Sequence, residues 1–281
     1  MKKVNCKFTW FVFISFTLVL VFSGFATTPK SYAQEKYTTR DFNEQLVMAT
    51  LWMQASAEYR ALCYQAFKLA QMNLDTFLGF YSGAKPVAVI VDADETVIDN
   101  SAYEAFLIGK DFGYSSKTWN PWMAAGQATA IPGASDFLKY AEQKGVEIFY
   151  VTNRKMVGYE GTEKNLKMLG FPNVDKKHLL LRTDTSNKQP RRDIVANEYE
   201  IAFLLGDNLN DFLTVFAHKN VDERLAEVEK FRTKWGTKFI VFPNPAYGEW
   251  EGAVYKYNWG ASSAEKDKMR KVLLKTWDYM P

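Results

Sequence analysis

The sequence predicts an α/β protein: a parallel sheet with helices on both faces, carrying extra helical and aromatic decoration. Two observations carry this expectation. Short runs that are apolar at every position, such as Val87–Val91, alternate with stretches of helical periodicity. Such runs suit strands buried on both faces of a parallel sheet. The 281 residues also suffice for one sizeable core with decoration, or for two small domains.

Residues 1–33 read as a secretory signal peptide. MKKVNCKF is a basic start, WFVFISFTLVLVFSGFA is a continuous apolar run, and Ser31-Tyr32-Ala33 sets small residues before a cut after Ala33. Gly24-Phe25-Ala26 offers a second candidate cut. An uncleaved anchor competes, because the apolar run falls only slightly short of the roughly 20 residues that span a bilayer. Cleavage leaves no membrane span and places the mature chain in the secreted, periplasmic or cell-envelope space. It also removes four lysines and no acid, so 35 basic residues become 31 against 32 acidic ones. No basic field then remains to attract a nucleic-acid polymer. Cys6 leaves with the leader, and Cys63 alone cannot form an internal disulfide, so a small apolar core role fits it. No Cys follows the apolar run to carry a lipid.

Residues 34–85 form an N-terminal helical region. From Asp41 to Phe80, Met48, Leu51, Trp52, Ala55, Tyr59, Leu62, Cys63, Ala66, Ala70, Asn73 and Phe77 recur at three- and four-residue steps. Thr38 with Asp41 reads as a capping box, and Ser82-Gly83-Ala84-Lys85-Pro86 ends the pattern. Residues 86–281 hold the α/β core. Expected strands are Val87–Val91, Val146–Val151, Leu179–Leu181, Ile201–Leu205 and Phe239–Phe242. Helices are expected near 134–144, 160–169, 188–198, 210–217 and 222–235. An aromatic-rich insertion over about 97–132 reads as a lid, with Trp119, Trp122 and Phe112 in its loops. Residues 243–261 form another aromatic loop, and Ser262 with Glu265 caps a final helix.

Ligands of open parallel sheets sit beyond the carboxyl ends of the strands. Here those ends carry Asp92-Ala93-Asp94-Glu95-Thr96, Thr152-Asn153-Arg154 and Gly206-Asp207-Asn208-Leu209-Asn210-Asp211, while Lys188 lies in SNKQPRR before the fourth strand. In this order the set resembles the haloacid dehalogenase-like hydrolases, whose motifs are DxDx[T/V], a Ser/Thr, a Lys and a late acidic pair. DADETVIDNSAY, WNPW, FYVTNR, KQPRRD, GDNLNDF and PNPAYGEWE narrow the resemblance. They look like the class C acid phosphatases, and more closely the acid phosphatase/5′-nucleotidase group named for bacterial lipoprotein e. The resemblance implies a Rossmann-like core and small phosphomonoester substrates, including nucleoside 5′-monophosphates. Many members carry a lipid-modified Cys that this sequence lacks, and homodimerisation stays open.

The residues support that chemistry directly. Phosphoester cleavage needs a nucleophile, an acid for the leaving oxygen and positive charge on the phosphoryl oxygens. Asp92 is the candidate nucleophile, and Asp94 the candidate acid that later activates water. Asp207 with Asp92 would hold Mg²⁺, a hard cation suited to oxygen donors. The resemblance adds the backbone carbonyl of Asp94 as a ligand. Asp211 would hold a metal-bound water rather than the metal. Thr152 and Lys188 would bind phosphoryl oxygens, with Asn153 and Arg154 as possible helpers. The resemblance places Trp119 and Tyr247 beside the substrate.

Each assignment has a structural competitor: Asp at a strand–helix junction is often an N-cap, Asp207 and Asp211 could form a turn, and surface lysines are common. Glu95 and Asp99 have no assigned role. His178 and His218 are the only histidines, which disfavours histidine-nucleophile and binuclear metal phosphatases. Transfer to acceptors other than water, and a non-catalytic surface protein that binds haem or nucleotide, are the competing functional readings.

Overall fold

The computed structural model describes residues 37–277. The expected leader, both cleavage sites and Cys6 lie outside the described residues. Three helices open the described chain: α1 (Thr39–Asn43), α2 (Leu46–Ala55) and α3 (Ala57–Phe80). Strand β1 (Val87–Val91) follows, then a segment containing β2 (Ile98–Asp99), α4 (Ser101–Leu107), α5 (Ser116–Ala125) and β3 (Thr129–Ala130). The chain continues through α6 (Ala134–Gln143), β4 (Glu147–Lys155), α7 (Tyr159–Met168), β5 (Leu179–Arg182), α8 (Gln189–Glu198) and β6 (Glu200–Gly206). Helix α9 (Val221–Lys230), β7 (Phe239–Val241), α10 (Glu249–Val254) and α11 (Ser263–Val272) complete it.

Five strands pair in parallel in the order β5-β4-β1-β6-β7. Every residue of β1 is buried, as its central position requires. Alternation along the strand sends Val87, Val89 and Val91 into one core and Ala88 and Ile90 into the other. The first core also holds Cys63, Phe67, Ala70 and Leu74 of α3, with Phe67 against Phe137 and Phe242. The second is closed by Val195, Tyr199 and Phe212. Cys63 is fully buried, which pushes its thiol up to about 11.

Several local expectations are corrected. The periodic positions of residues 41–80 do not share one face: Ser56 is extended and caps Tyr59 N at 3.0 Å, so α3 starts afresh. The break rotates the buried face, and Met48 and Leu51 are exposed while Met53 is buried. Residues 210–217 form two single 3₁₀ turns, Leu209–Asp211 and Thr214–Phe216. Trp119 and Trp122 lie on α5, started by a Ser115/Thr118 capping box, rather than in a loop. The expected boxes Thr38/Asp41 and Ser262/Glu265 are present. The insertion after β1 has a narrow neck, because β2 and β3 pair antiparallel before the chain enters α6.

Candidate active site

Strand β1 ends at the centre of the sheet, and the next residue is Asp92. Its backbone N–H donates to Leu205 O at 2.9 Å, which fixes it between β1 and β6. Asp207 follows β6 directly, and Asp211 follows one 3₁₀ turn later. The resulting trio is tight: one carboxylate oxygen each of Asp92, Asp207 and Asp211 lie within 4.8 Å of one another. Lys188, at the N-cap of α8, is buried among them, with Nζ 2.5 Å from Asp92 Oδ1 and 2.6 Å from Asp211 Oδ1. Pro190 suits the first turn of that helix, where no amide hydrogen is needed.

Electrostatics shows what the trio lacks. Burial pushes Asp92 up to about 7, with Asp211 and Asp94 adding to the shift and Lys188 opposing it. Burial, Asp211 and Asp92 likewise hold Asp207 well above the usual carboxylate range. Burial works against the charge on Lys188, but Asp211 and Asp92 outweigh it and raise its pKa. Fully ionised, three carboxylates against one ammonium carry two surplus negative charges, and every donor is a hard oxygen. Those properties fit a divalent cation such as Mg²⁺. Asp211 already spends one oxygen on Lys188 and the other on Asn208 N at 3.0 Å. Asp207 is steadied from the other side, accepting from Asn244 Nδ2 at 2.8 Å.

Asp94 stands outside the trio. Its Oδ1 accepts from Arg154 Nε at 2.9 Å and Asn100 Nδ2 at 2.8 Å, while Oδ2 has Thr152 Oγ1 at 3.5 Å. Arg154 is buried and also donates to Thr162 and Asn100, so its donors are committed within the protein. Its guanidinium lies 5.4 Å from the Trp119 ring, which meets Tyr103 edge-on. Tyr247 donates its hydroxyl to Glu95, a fully buried carboxylate that also accepts Asn100 N at 2.7 Å. Burial and the neighbouring Asp94 and Asp207 hold Glu95 well above its usual range. Trp119 and Tyr247 thus both lead into the hydrogen-bonded group around Asp94.

Helix α8 contributes more than Lys188. Arg191 donates to Thr152 O, and its other terminal nitrogen reaches Asn153 Oδ1 at 2.7 Å. Arg192 donates to Asp211 O at 2.7 Å. Three cations therefore tie the loops after β1 and β6 to the end of β4. Of the three, only Lys188 had a role in the sequence, although the i, i+3, i+4 spacing put all three on one helix face. Asn100, Glu95 and Asn244 had no such signal, because their partners are distant or turned by local backbone. Glu95 itself has a positive φ of 53°.

A carboxylate trio, Asp92 and Asp211 buried and Asp207 half-buried, with a buried lysine at the carboxyl ends of a parallel sheet, defines an α/β phosphomonoester hydrolase. A family model described as HAD superfamily, subfamily IIIB (acid phosphatase) matches residues 25–250, and the chain belongs to that family. It is similar to the class C acid phosphatase from Bacillus anthracis at 43% identity and a TM-score of 0.81, over 84% of this chain and 99% of that one. A second structure of that Bacillus anthracis phosphatase, with tungstate bound, matches to the same extent: 43% identity, TM-score 0.81, and 84% and 99% of the two chains. Phosphatases of this superfamily use a divalent metal, and Asp92, Asp207 and Asp211 are the described residues grouped to hold one.

Proposed function

We propose that this chain is a secreted, Mg²⁺-dependent acid phosphatase that hydrolyses small phosphomonoesters, nucleoside 5′-monophosphates among them, through an aspartyl-phosphate. The observation that carries the reading is Lys188, buried between Asp92 and Asp211 beside Asp207. A surplus of two negative charges there suits a divalent cation and, with it, an anionic phosphoryl group. Asp92, Asp207 and the Asp94 carbonyl would hold Mg²⁺, which supplies positive charge to the carboxylates and the phosphoryl oxygens. A relative that holds tungstate, itself a tetrahedral oxyanion, supports an oxyanion ligand.

In the first step an Asp92 oxygen bonds to phosphorus, and the ester P–O bond breaks with its electron pair on the leaving oxygen. Asp94 gives that oxygen a proton. In the second step water attacks phosphorus, Asp94 takes the water proton, and the Asp92–phosphorus bond breaks to release phosphate. Lys188 and the Thr152 hydroxyl hold phosphoryl oxygens, and the exposed amide of Asn153 extends that set. Asp211 acts through Lys188, and Arg154 through Asp94. Trp119 and Tyr247 flank the nucleoside, where an aromatic face gives a stacking surface.

Purified protein assayed on p-nitrophenyl phosphate and adenosine monophosphate, with and without EDTA, tests the reading together with Asp92→Asn. Activity that ignores EDTA or survives the substitution overturns it. Secretion predicts a mature chain that begins at Gln34, which intact-mass measurement of exported protein checks.

A further inference from the structure

Asn100 is fully buried and has two donor-only neighbours. Trp122 Nε1 lies 2.8 Å and an Arg154 terminal nitrogen 3.0 Å from Asn100 Oδ1. Neither group can accept, so only the amide oxygen can face them and the orientation of the amide is unambiguous. The Nδ2 group must then donate on its other side, to Asp94 Oδ1 at 2.8 Å and Glu95 Oε2 at 3.3 Å. Glu95 also holds Asn100 by its backbone N–H, and Tyr247 closes on the same carboxylate.

We infer that Asn100, held by Trp122 and Glu95, is a positioning residue that occupies Oδ1 of Asp94 and leaves Oδ2, which has Thr152 Oγ1 at 3.5 Å, to face the departing oxygen. The inference rests on the reading of Asp94 as the acid. With Asn100 and Arg154 both on Oδ1, the carboxylate cannot rotate about its axis without leaving two buried donors unpaired. The aim of the acid is thereby set by a lid residue, Trp122, and by the aromatic loop that carries Tyr247.

The consequence depends on the leaving group. An alkoxide, as from a nucleoside 5′-monophosphate, needs a proton as it departs, whereas p-nitrophenolate is stable without one. The parameter kcat/KM reports steps up to the first irreversible one, which here is P–O cleavage. Asn100→Asp keeps the acceptor for Trp122 and Arg154 but removes the donor to Asp94. It should cost on the order of 100-fold in kcat/KM on adenosine monophosphate, a typical general-acid contribution. On p-nitrophenyl phosphate the loss should stay within about threefold. Trp122→Phe, which removes only one restraining hydrogen bond, should cost about fivefold on the nucleotide. It keeps the test decisive should Asn100→Asp fail to fold, which thermal unfolding reports. Equal losses on both substrates, or no loss, overturn the positioning role. Asp94→Asn is the control. If it loses no more on the nucleotide than on the aryl ester, the acid reading falls. If it shows the contrast and the Asn100 and Trp122 variants do not, the positioning role alone falls.

Discussion

Replacing Lys188 by Met removes the one ammonium buried among three carboxylates. At an effective dielectric near 20, the contacts at 2.5 and 2.6 Å are each worth about 6 kcal/mol of gross attraction. Desolvation of the charges offsets most of that, and removing one partner of a buried pair costs about 3–5 kcal/mol. For a domain of this size the loss lowers the melting temperature by on the order of 10 °C. The measurement is thermal unfolding in EDTA, where the protein has no ion to substitute for the lysine. With the trio ionised, the same substitution takes it from two surplus negative charges to three. Added Mg²⁺ should therefore raise the melting temperature of Lys188→Met more than that of the parent, by ligand linkage. Activity moves the other way, with kcat/KM on p-nitrophenyl phosphate falling on the order of 100-fold or more as a phosphoryl contact is lost. A variant that melts within about 2 °C of the parent in EDTA, or gains less from Mg²⁺, would refute the charge accounting.

Arg191→Met should lower kcat/KM roughly 10- to 100-fold and weaken inhibition by inorganic phosphate, because charged hydrogen bonds to Thr152 O and Asn153 are worth about 1.5–3 kcal/mol each; steady-state kinetics with phosphate as inhibitor checks this. Gly206→Ala would bring a Cβ to 2.6 Å from Asp211 Cβ, so a loss of about 1–3 kcal/mol and reduced turnover are expected in urea unfolding and activity assays. Glu104 is buried with no ion-pair partner among the described residues, and burial, with Glu251 adding, pushes it up to about 7. The fold therefore binds a proton there that the unfolded chain has released, and stability falls as pH rises from about 4.5 to 7, by up to about 3 kcal/mol. Glu104→Gln should stabilise the protein at pH 8 and leave it unchanged near pH 4.5; urea unfolding at the two pH values decides.

Some of the site was legible because its signals are local. The apolar run of β1 ends at residue 91, and the acid at 92 follows whatever the rest of the chain does. Thr152 near the end of β4 and Asp207 just after β6 are readable on the same ground, as is Lys188 at a helix start marked by Pro190. Local signals also misled. The periodicity across Ser56 looked continuous, yet a single capping serine reset the phase of the following helix. Trp119 and Trp122 read as loop residues, but α5 runs through WNPW with Pro121 inside it.

By itself the sequence determined the alternation of buried strands and helices, and the acids, hydroxyl and lysine that the strand ends would carry. Strand propensity, apolar runs and caps act within a few residues and need no partner. Tertiary structure alone decided what each charged group faces. Packing in the order β5-β4-β1-β6-β7 brings Asp92, Asp207 and Asp211 together around Lys188. It turns Asp94 toward Arg154, 60 positions away, and sets Tyr247 on Glu95 across 152 positions. Of the two acids that had no role in the sequence, Glu95 anchors Asn100, while Asp99 accepts Ser101 N at 2.7 Å at the start of α4. Such choices follow from burial: in a low-dielectric interior an unpaired donor or charge is costly, so the chain settles where distant polar groups satisfy one another.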